Sequence, residues 1–158
     1  KQNLEWLARQ TKSLPEYSIE EMDARKLNSI VTENSIDAAV TEFHLGPPLN
    51  GRELEAEVLR NEKDLSSLYI ESLELMHMAL KPGGRVVLVW PYFRHQNIFM
   101  SAFDALQKSE WNIIEPYPKA YQKLYKLSPR GTLLYGRDDQ FVFREILILE
   151  KRDQLKGF

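Results

Sequence analysis

Apolar positions recur in two periods along the chain, and the alternation between them predicts the order of elements. Over residues 3–12, Leu4, Leu7 and Ala8 mark one face of an amphipathic helix with Trp6 beside it, and Leu14-Pro15-Glu16 breaks it. Residues 17–22 read as a short strand ending at Asp23-Ala24-Arg25. Residues 36–43 read as the next, closed by the Gly46-Pro47-Pro48 loop. From about 54 to 80, Leu65, Leu68, Tyr69, Ser72, Leu73, Met76, Ala79 and Leu80 recur at three-or-four spacing, the core-facing stripe of a long helix. Lys81-Pro82-Gly83-Gly84 stops it, because Pro cannot continue a helix and Gly supplies the positive φ that a helix end needs. Arg85-Val86-Val87-Leu88-Val89-Trp90 is a nearly continuous apolar strand, the pattern of a parallel strand covered on both faces. A helix over 96–109 places Ile98, Phe99, Ala102, Phe103 and Leu106 on one side. A short strand at 111–115 and a long one at 141–150 follow, the latter with Arg144 and Glu145 among Phe141, Phe143, Ile146 and Ile148. Strand and helix alternate throughout, which predicts one α/β domain on a largely parallel sheet, without repeats or linkers.

Composition narrows the class without changing that picture. At 158 residues the chain is long enough for one domain with a real core. Its 43% apolar and 28% charged residues exclude a disordered or collagen-like chain, and a net charge of -2 excludes a histone-like basic domain. With no Cys there is no disulfide frame, Cys-zinc site or thiol nucleophile, which fits a reducing compartment. No apolar run approaches a membrane span and no signal-peptide pattern opens the chain, so the expectation is a soluble, cytoplasmic protein with no membrane partner. The chain starts Lys1-Gln2-Asn3 without Met, as a processed product or a fragment does. His44, His77 and His95 lie far apart without metal-ligand spacing, and no nucleophile elbow, P-loop or dinucleotide Gly fingerprint occurs.

The segment 79–89, Ala-Leu-Lys-Pro-Gly-Gly-Arg-Val-Val-Leu-Val, resembles the junction before the fifth strand of class I S-adenosylmethionine-dependent methyltransferases; simple turn chemistry is the alternative. Other pieces fall in the matching order. Asn3-Leu4-Glu5-Trp6-Leu7 is similar to the helix after the second strand in the THUMP-associated RNA and DNA methylases, whose best-known members methylate the exocyclic amine of a tRNA guanosine. Asp23-Ala24-Arg25-Lys26-Leu27 resembles the end of the third strand, residues 36–46 the fourth strand with its catalytic loop, and residues 133–146 the terminal hairpin. The resemblance implies a Rossmann-like sheet, mostly parallel with an antiparallel terminal hairpin strand, and S-adenosylmethionine as cofactor. The first strand and its Gly-rich loop have no counterpart here. The expectation is therefore that they precede Lys1, or that another chain completes the domain. Alone, the 158 residues should bind the cofactor weakly or not at all.

The same resemblance implies the site. Methylases of this group carry Thr-Asp-Pro-Pro-Tyr-Gly or a near relative after the fourth strand. Aligned without gaps, Thr41 matches the Thr, Glu42 the Asp, Phe43 and His44 the prolines, Leu45 the aromatic and Gly46 the Gly. The amine attacks the sulfonium methyl in line, so its hydrogens must be held by a carboxylate or amide oxygen and a backbone carbonyl while a ring stacks on the flipped base. Glu42 keeps the carboxylate on a side chain one methylene longer, a displacement of about 1 Å that can cost roughly 10²-fold. Phe43 or His44 supplies a ring, and Pro47-Pro48 can stiffen the loop. Asp23 and Ala24, with Thr41, are the implied cofactor contacts, Asp23 beside the adenine. The plainer alternatives are a solvated Glu42, an ordinary loop His44 and an N-capping Asp23.

Residues 117–130 carry four cations and no acid, with Tyr117, Tyr121 and Tyr125 repeating every four residues. Cations for phosphates and rings for bases suit RNA, which nominates Lys119, Tyr121, Lys123, Lys126 and Arg130; the alternative is a solvated surface helix. Arg137 and Arg144 either extend this patch or pair with Asp138, Asp139 and Glu145. Two functions stand against each other. One is a methyltransferase acting on an amino group of a nucleic-acid base, RNA (tRNA) before DNA, with a small activating protein subunit as a further partner on which the residues are silent. The other is a non-catalytic relative that binds RNA or a partner protein.

Overall fold

In the computed structural model, which describes residues 2–11, 16–121 and 127–152, the elements are α1 (Gln2–Gln10), a short 3₁₀ helix (Ala24–Ser29), β1 (Ile36–Glu42), α2 (Glu55–Ala79), β2 (Leu80–Phe93), α3 (Ala102–Gln107), β3 (Trp111–Ile114), β4 (Leu133–Tyr135) and β5 (Val142–Lys151). Most follow the periodicities, and the departures have local causes. Residues 17–22 form no strand; the chain enters the 3₁₀ helix, where the Asp23 carboxylate accepts the Arg25 amide at 2.9 Å. The helix expected over 96–109 shrinks to α3, because the chain first turns through Asn97 (φ 54°) and bridges Ile98 back to Phe93. The long helix stops at Ala79, where the Leu80 amide caps onto the Met76 carbonyl. The Pro-Gly-Gly lies beyond it, inside β2, at an irregularity in the pairing with β1 where Gly83 takes φ 75°. The break at Leu14-Pro15 lies outside the described residues.

The sheet runs β1-β2-β5-β3, with β4 also on β5. β1 pairs parallel to β2, and β5 pairs antiparallel with β2, β3 and β4. Four strands therefore point one way and β5 alone points the other, the mixed α/β arrangement expected of a reversed terminal hairpin strand. By hydrogen-bonded neighbours, however, only β1–β2 is parallel, because β5 inserts between β2 and β3.

Alternation sorts the strand residues onto two unlike faces. Val86, Leu88, Trp90, Leu147 and Leu149 are buried with Val58, Leu65, Tyr69 and Leu73 of α2 and Ala102, Phe103 and Leu106 of α3. On the other face Val40, Val87, Val89, Ile146 and Ile148 are at most half-buried, and Val40 is 81% exposed. Thus β2 is covered by the described helices on one face only, contrary to the two-sided burial its apolar run suggests. β1 is also an edge of the sheet, and α1 buries none of its residues. Among the described residues, then, an apolar face and the outer edge of β1 are both left open.

Three buried polar side chains tie elements together. Glu62 of α2 accepts the Ser66 hydroxyl and the Ser101 amide, each at 2.6 Å, fixing the approach of α3. Lys151 donates to the Leu80 carbonyl at 2.8 Å and to Asn34 Oδ1 at 2.9 Å. Glu145, wholly buried, accepts Trp90 Nε1 at 2.7 Å and the Thr132 hydroxyl at 2.6 Å.

Two outcomes are expected in denaturation experiments. Burial pushes the Glu145 carboxyl above its ordinary value, while the two donors partly oppose the shift. A raised folded-state pKa contributes stability below the unfolded value, and that contribution fades as pH rises through the folded one. Glu145→Gln keeps an acceptor without the charge, so its stability relative to the parent should improve as pH is raised from about 4; a relative loss over that range contradicts this account. Leu88→Ala should cost about 2–5 kcal/mol, whereas Val40→Thr on the bare face of this chain should stay within about 0.5 kcal/mol.

Candidate active site

The carboxyl ends of β1 and β2 and the amino end of β5 meet at one rim of the sheet. There the last residues of β1 part by strict alternation. Thr41, in register with Leu88, lies half-buried on the helix-covered face. Glu42 points to the bare face, exposed, and accepts Arg144 Nε at 2.7 Å. Phe43 extends the pairing through its amide to the Val89 carbonyl at 2.9 Å, and its ring turns into the core.

That ring is 7% exposed and stacks on Tyr69 at 4.7 Å, and Tyr69 in turn stacks on Trp90 at 5.9 Å. The Tyr69 hydroxyl donates to the His44 carbonyl, and burial holds the phenol far above its ordinary pKa, so it remains a donor. Phe43 is thus a core residue that anchors the loop, and its face is not open to a base. His44, one residue on, has an exposed side chain.

After His44 the loop is held by its own polar groups. Glu53 accepts the amides of Asn50 at 2.7 Å and Gly51 at 3.0 Å, bonds that draw its carboxyl below the ordinary range. Asn50 Oδ1 accepts the Arg52 amide at 3.0 Å, and Glu57 takes the free Leu54 amide at the start of α2. Gly51, at φ 82°, lies against Phe141: a Cβ there would come within 2.3 Å of the ring. This contact seats the loop on the β4–β5 turn and leaves a cleft of 440 Å³ between Leu45–Leu49 on one side and Arg137, Phe141 and Arg144 on the other. Its lining mixes apolar side chains, among them Pro47, Pro48 and Phe141, with the polar Arg137, Asp139, Gln140 and Arg144.

The remaining nominated residues are elsewhere. Asp23 holds Arg25 through three side-chain contacts of 2.7–3.2 Å, and that pairing pulls its exposed carboxyl down to about 2. Ala24 follows it as the first residue of the 3₁₀ helix, which packs along α2 near Glu71. Lys119 and Tyr121 lie exposed in a turn closed by the Tyr121 amide on the Pro118 carbonyl. Lys123 and Lys126 lie outside the described residues. Arg130 is folded inward: it donates to the Met100 carbonyl at 2.8 Å and lies over the rings of Phe99 and Phe103. Arg137 pairs with Asp139 at 3.5 Å, but Arg144 reaches Glu42 and not its chain neighbour Glu145. Tyr69, Arg144 and the 137–142 wall are the parts that sequence reasoning did not assign to the site. Alternation was the available signal, since adjacent strand residues face opposite sides and Arg144 cannot share a face with Glu145. Among the described residues no group of three acidic or His side chains could hold a metal ion, and no helix is long and apolar enough to cross a membrane.

No family model matches the sequence, and no curated protein matches it. Solved structures do match its fold. TrmN from Thermus thermophilus superposes with a TM-score of 0.50 at 17% identity, over 84% of this chain and 27% of that one. TTHA0409, also from Thermus thermophilus and provisionally described as a DNA modification methylase, gives 0.50 at 15% identity over 87% of this chain and 55% of its own. PH0851 gives 0.56 at 21% identity, covering 82% and 30%. The chain spans about half of the methylase and less than a third of the other two. What these likenesses establish is the architecture: a Rossmann-like mixed α/β sheet with one reversed strand set among strands that run together.

Proposed function

We propose that this chain is the later portion of the catalytic domain of an S-adenosylmethionine-dependent methyltransferase acting on an exocyclic amino group of a nucleic-acid base, RNA before DNA, with guanosine in tRNA the preferred target. The observation that carries the reading is the placement of Glu42: an exposed carboxylate at the carboxyl end of β1, bonded to Arg144, which lines an open cleft of 440 Å³. The other strands of the domain would lie along the free edge of β1, with Val40 and its apolar neighbours covered once they are present.

Of the described residues, Asp23 is the one that would meet the cofactor, at its adenine end. Asp23 is an exposed, firmly ionised acceptor suited to an exocyclic amine, although Arg25 holds it and would have to share it. When bound, the cofactor supplies an electrophilic methyl group on a sulfonium. This chain's own part is to receive and orient the nucleophile. The cleft offers a ring the apolar surfaces of Pro47, Pro48 and Phe141. Glu42 would accept an N–H of the amine and turn its lone pair outward, and its negative charge would stabilise the ammonium that develops as nitrogen takes the methyl carbon, the C–S electron pair staying with sulfur as a neutral thioether and the surplus proton leaving to water. Thr41 sets the end of β1 from the helix side. His44, exposed beside the cleft-lining Leu45, is the ring placed to stack on the base, since Phe43 is buried. Lys119 and Tyr121, exposed, are available to the rest of the nucleic acid.

The test is transfer of labelled methyl from S-adenosylmethionine to bulk tRNA, other RNA and DNA by the native-length protein. Label on tRNA alone supports the reading. Cofactor binding with no label on any nucleic acid would favour the non-catalytic relative. Glu42→Ala should lower turnover by about 10²-fold or more with cofactor affinity nearly intact. His44→Ala should weaken nucleic-acid binding by about 1–3 kcal/mol and spare the fold, whereas Phe43→Ala should cost about 3–5 kcal/mol of folding stability. The reverse pattern would reassign the stacking ring.

A further inference from the structure

Arg144 and Glu42 are 102 residues apart in sequence, and their side chains meet on the bare face of the sheet across β2. Register explains how. Glu42 lies in one row with Val89 and Ile146, and Arg144 is two residues from Ile146 on the same side of β5, one pleat nearer the rim. The guanidinium spans this diagonal and donates its Nε to Oε1 at 2.7 Å. With the two side chains 33% and 48% exposed, the pair adds little to stability. Its geometric effect is larger. A glutamate has one more rotatable bond than the aspartate usual at this place, and its terminal torsion is broad, so an unrestrained carboxylate would sample many positions. One oxygen is tied to Arg144, and the described residues give the other, Oε2, no hydrogen bond. Arg144 also lines the cleft, so the carboxylate is held at the cleft's edge.

We propose that Arg144 is a positioning residue for Glu42. It occupies one carboxylate oxygen and fixes the other to accept the amine, restoring in the longer side chain the placement that a shorter tether would give. This rests on the methyltransferase reading above. Arg144 acts through Glu42 and takes no proton or methyl itself.

The experiment uses the native-length protein and the nucleic acid that it methylates best, with thermal melts confirming that each variant is folded. Arg144→Gln should lower kcat by about 10- to 10²-fold, with KM for the nucleic acid and for S-adenosylmethionine nearly unchanged. Arg144→Lys, which keeps a charged donor, should recover part of that loss. In a Glu42→Gln background Arg144→Gln should add nothing, as for two residues acting as a unit. An unchanged kcat with a raised KM for nucleic acid would make Arg144 a phosphate contact and overturn the proposal. Full additivity with Glu42→Gln would overturn it too. If the wild-type protein methylates nothing, the methyltransferase reading falls and this proposal with it. If it methylates and Glu42→Gln is impaired while Arg144→Gln is not, only the role of Arg144 falls.

Discussion

Tyr69, midway along α2, donates its hydroxyl to the carbonyl of His44 while its ring lies between those of Phe43 and Trp90. A buried phenol must find a partner, and here that partner is the backbone of the loop that follows β1. The result is a continuous column of contacts running from the loop through Phe43, Tyr69 and Trp90 to the buried carboxylate of Glu145 and on to Thr132. The exposed groups at the rim are therefore carried on the hydrophobic core. Because Phe43 is committed to the column, its two neighbours are left free to face outward.

Alternation makes adjacent residues do unrelated work. Glu42 and Phe43 are neighbours, one solvated on the bare face and one stacked in the core. Arg144 and Glu145 are neighbours on β5, and each pairs with a residue that its own face dictates, Glu42 for one and Trp90 for the other. A chain read by proximity in sequence would join Arg144 to Glu145. The sheet forbids it.

Much of the fold was legible because its signals are local. The three-or-four spacing from Leu65 to Leu80 marks α2, and the apolar run after the Pro-Gly-Gly marks β2. Legibility ended where a tertiary constraint outweighed a local one. Asn97 and the Phe93–Ile98 bridge overrode an adequate helical pattern, and Asp23 competed for the backbone and made a cap in place of a strand end. At the site, the strand and the carboxylate of Glu42 were readable. Its partner was not, since a contact spanning 102 residues and crossing an intervening strand leaves no mark on spacing.

The place of β5 has a consequence for how the chain comes to be folded. Residues 142–151 bridge β2 to both β3 and β4, so neither of those strands has a pairing partner in the sheet until β5 arrives. During synthesis β1, α2 and β2 can assemble as they emerge, since their pairing closes within the first 93 residues. β3 and β4 must wait, unpaired, for a strand made after them that docks on β2 and pairs with both. Late, non-local closure of this kind slows folding and prolongs the exposure of strand edges. Nascent chains that stall before residue 142 would thus hold β3 and β4 without the strand that both pair with.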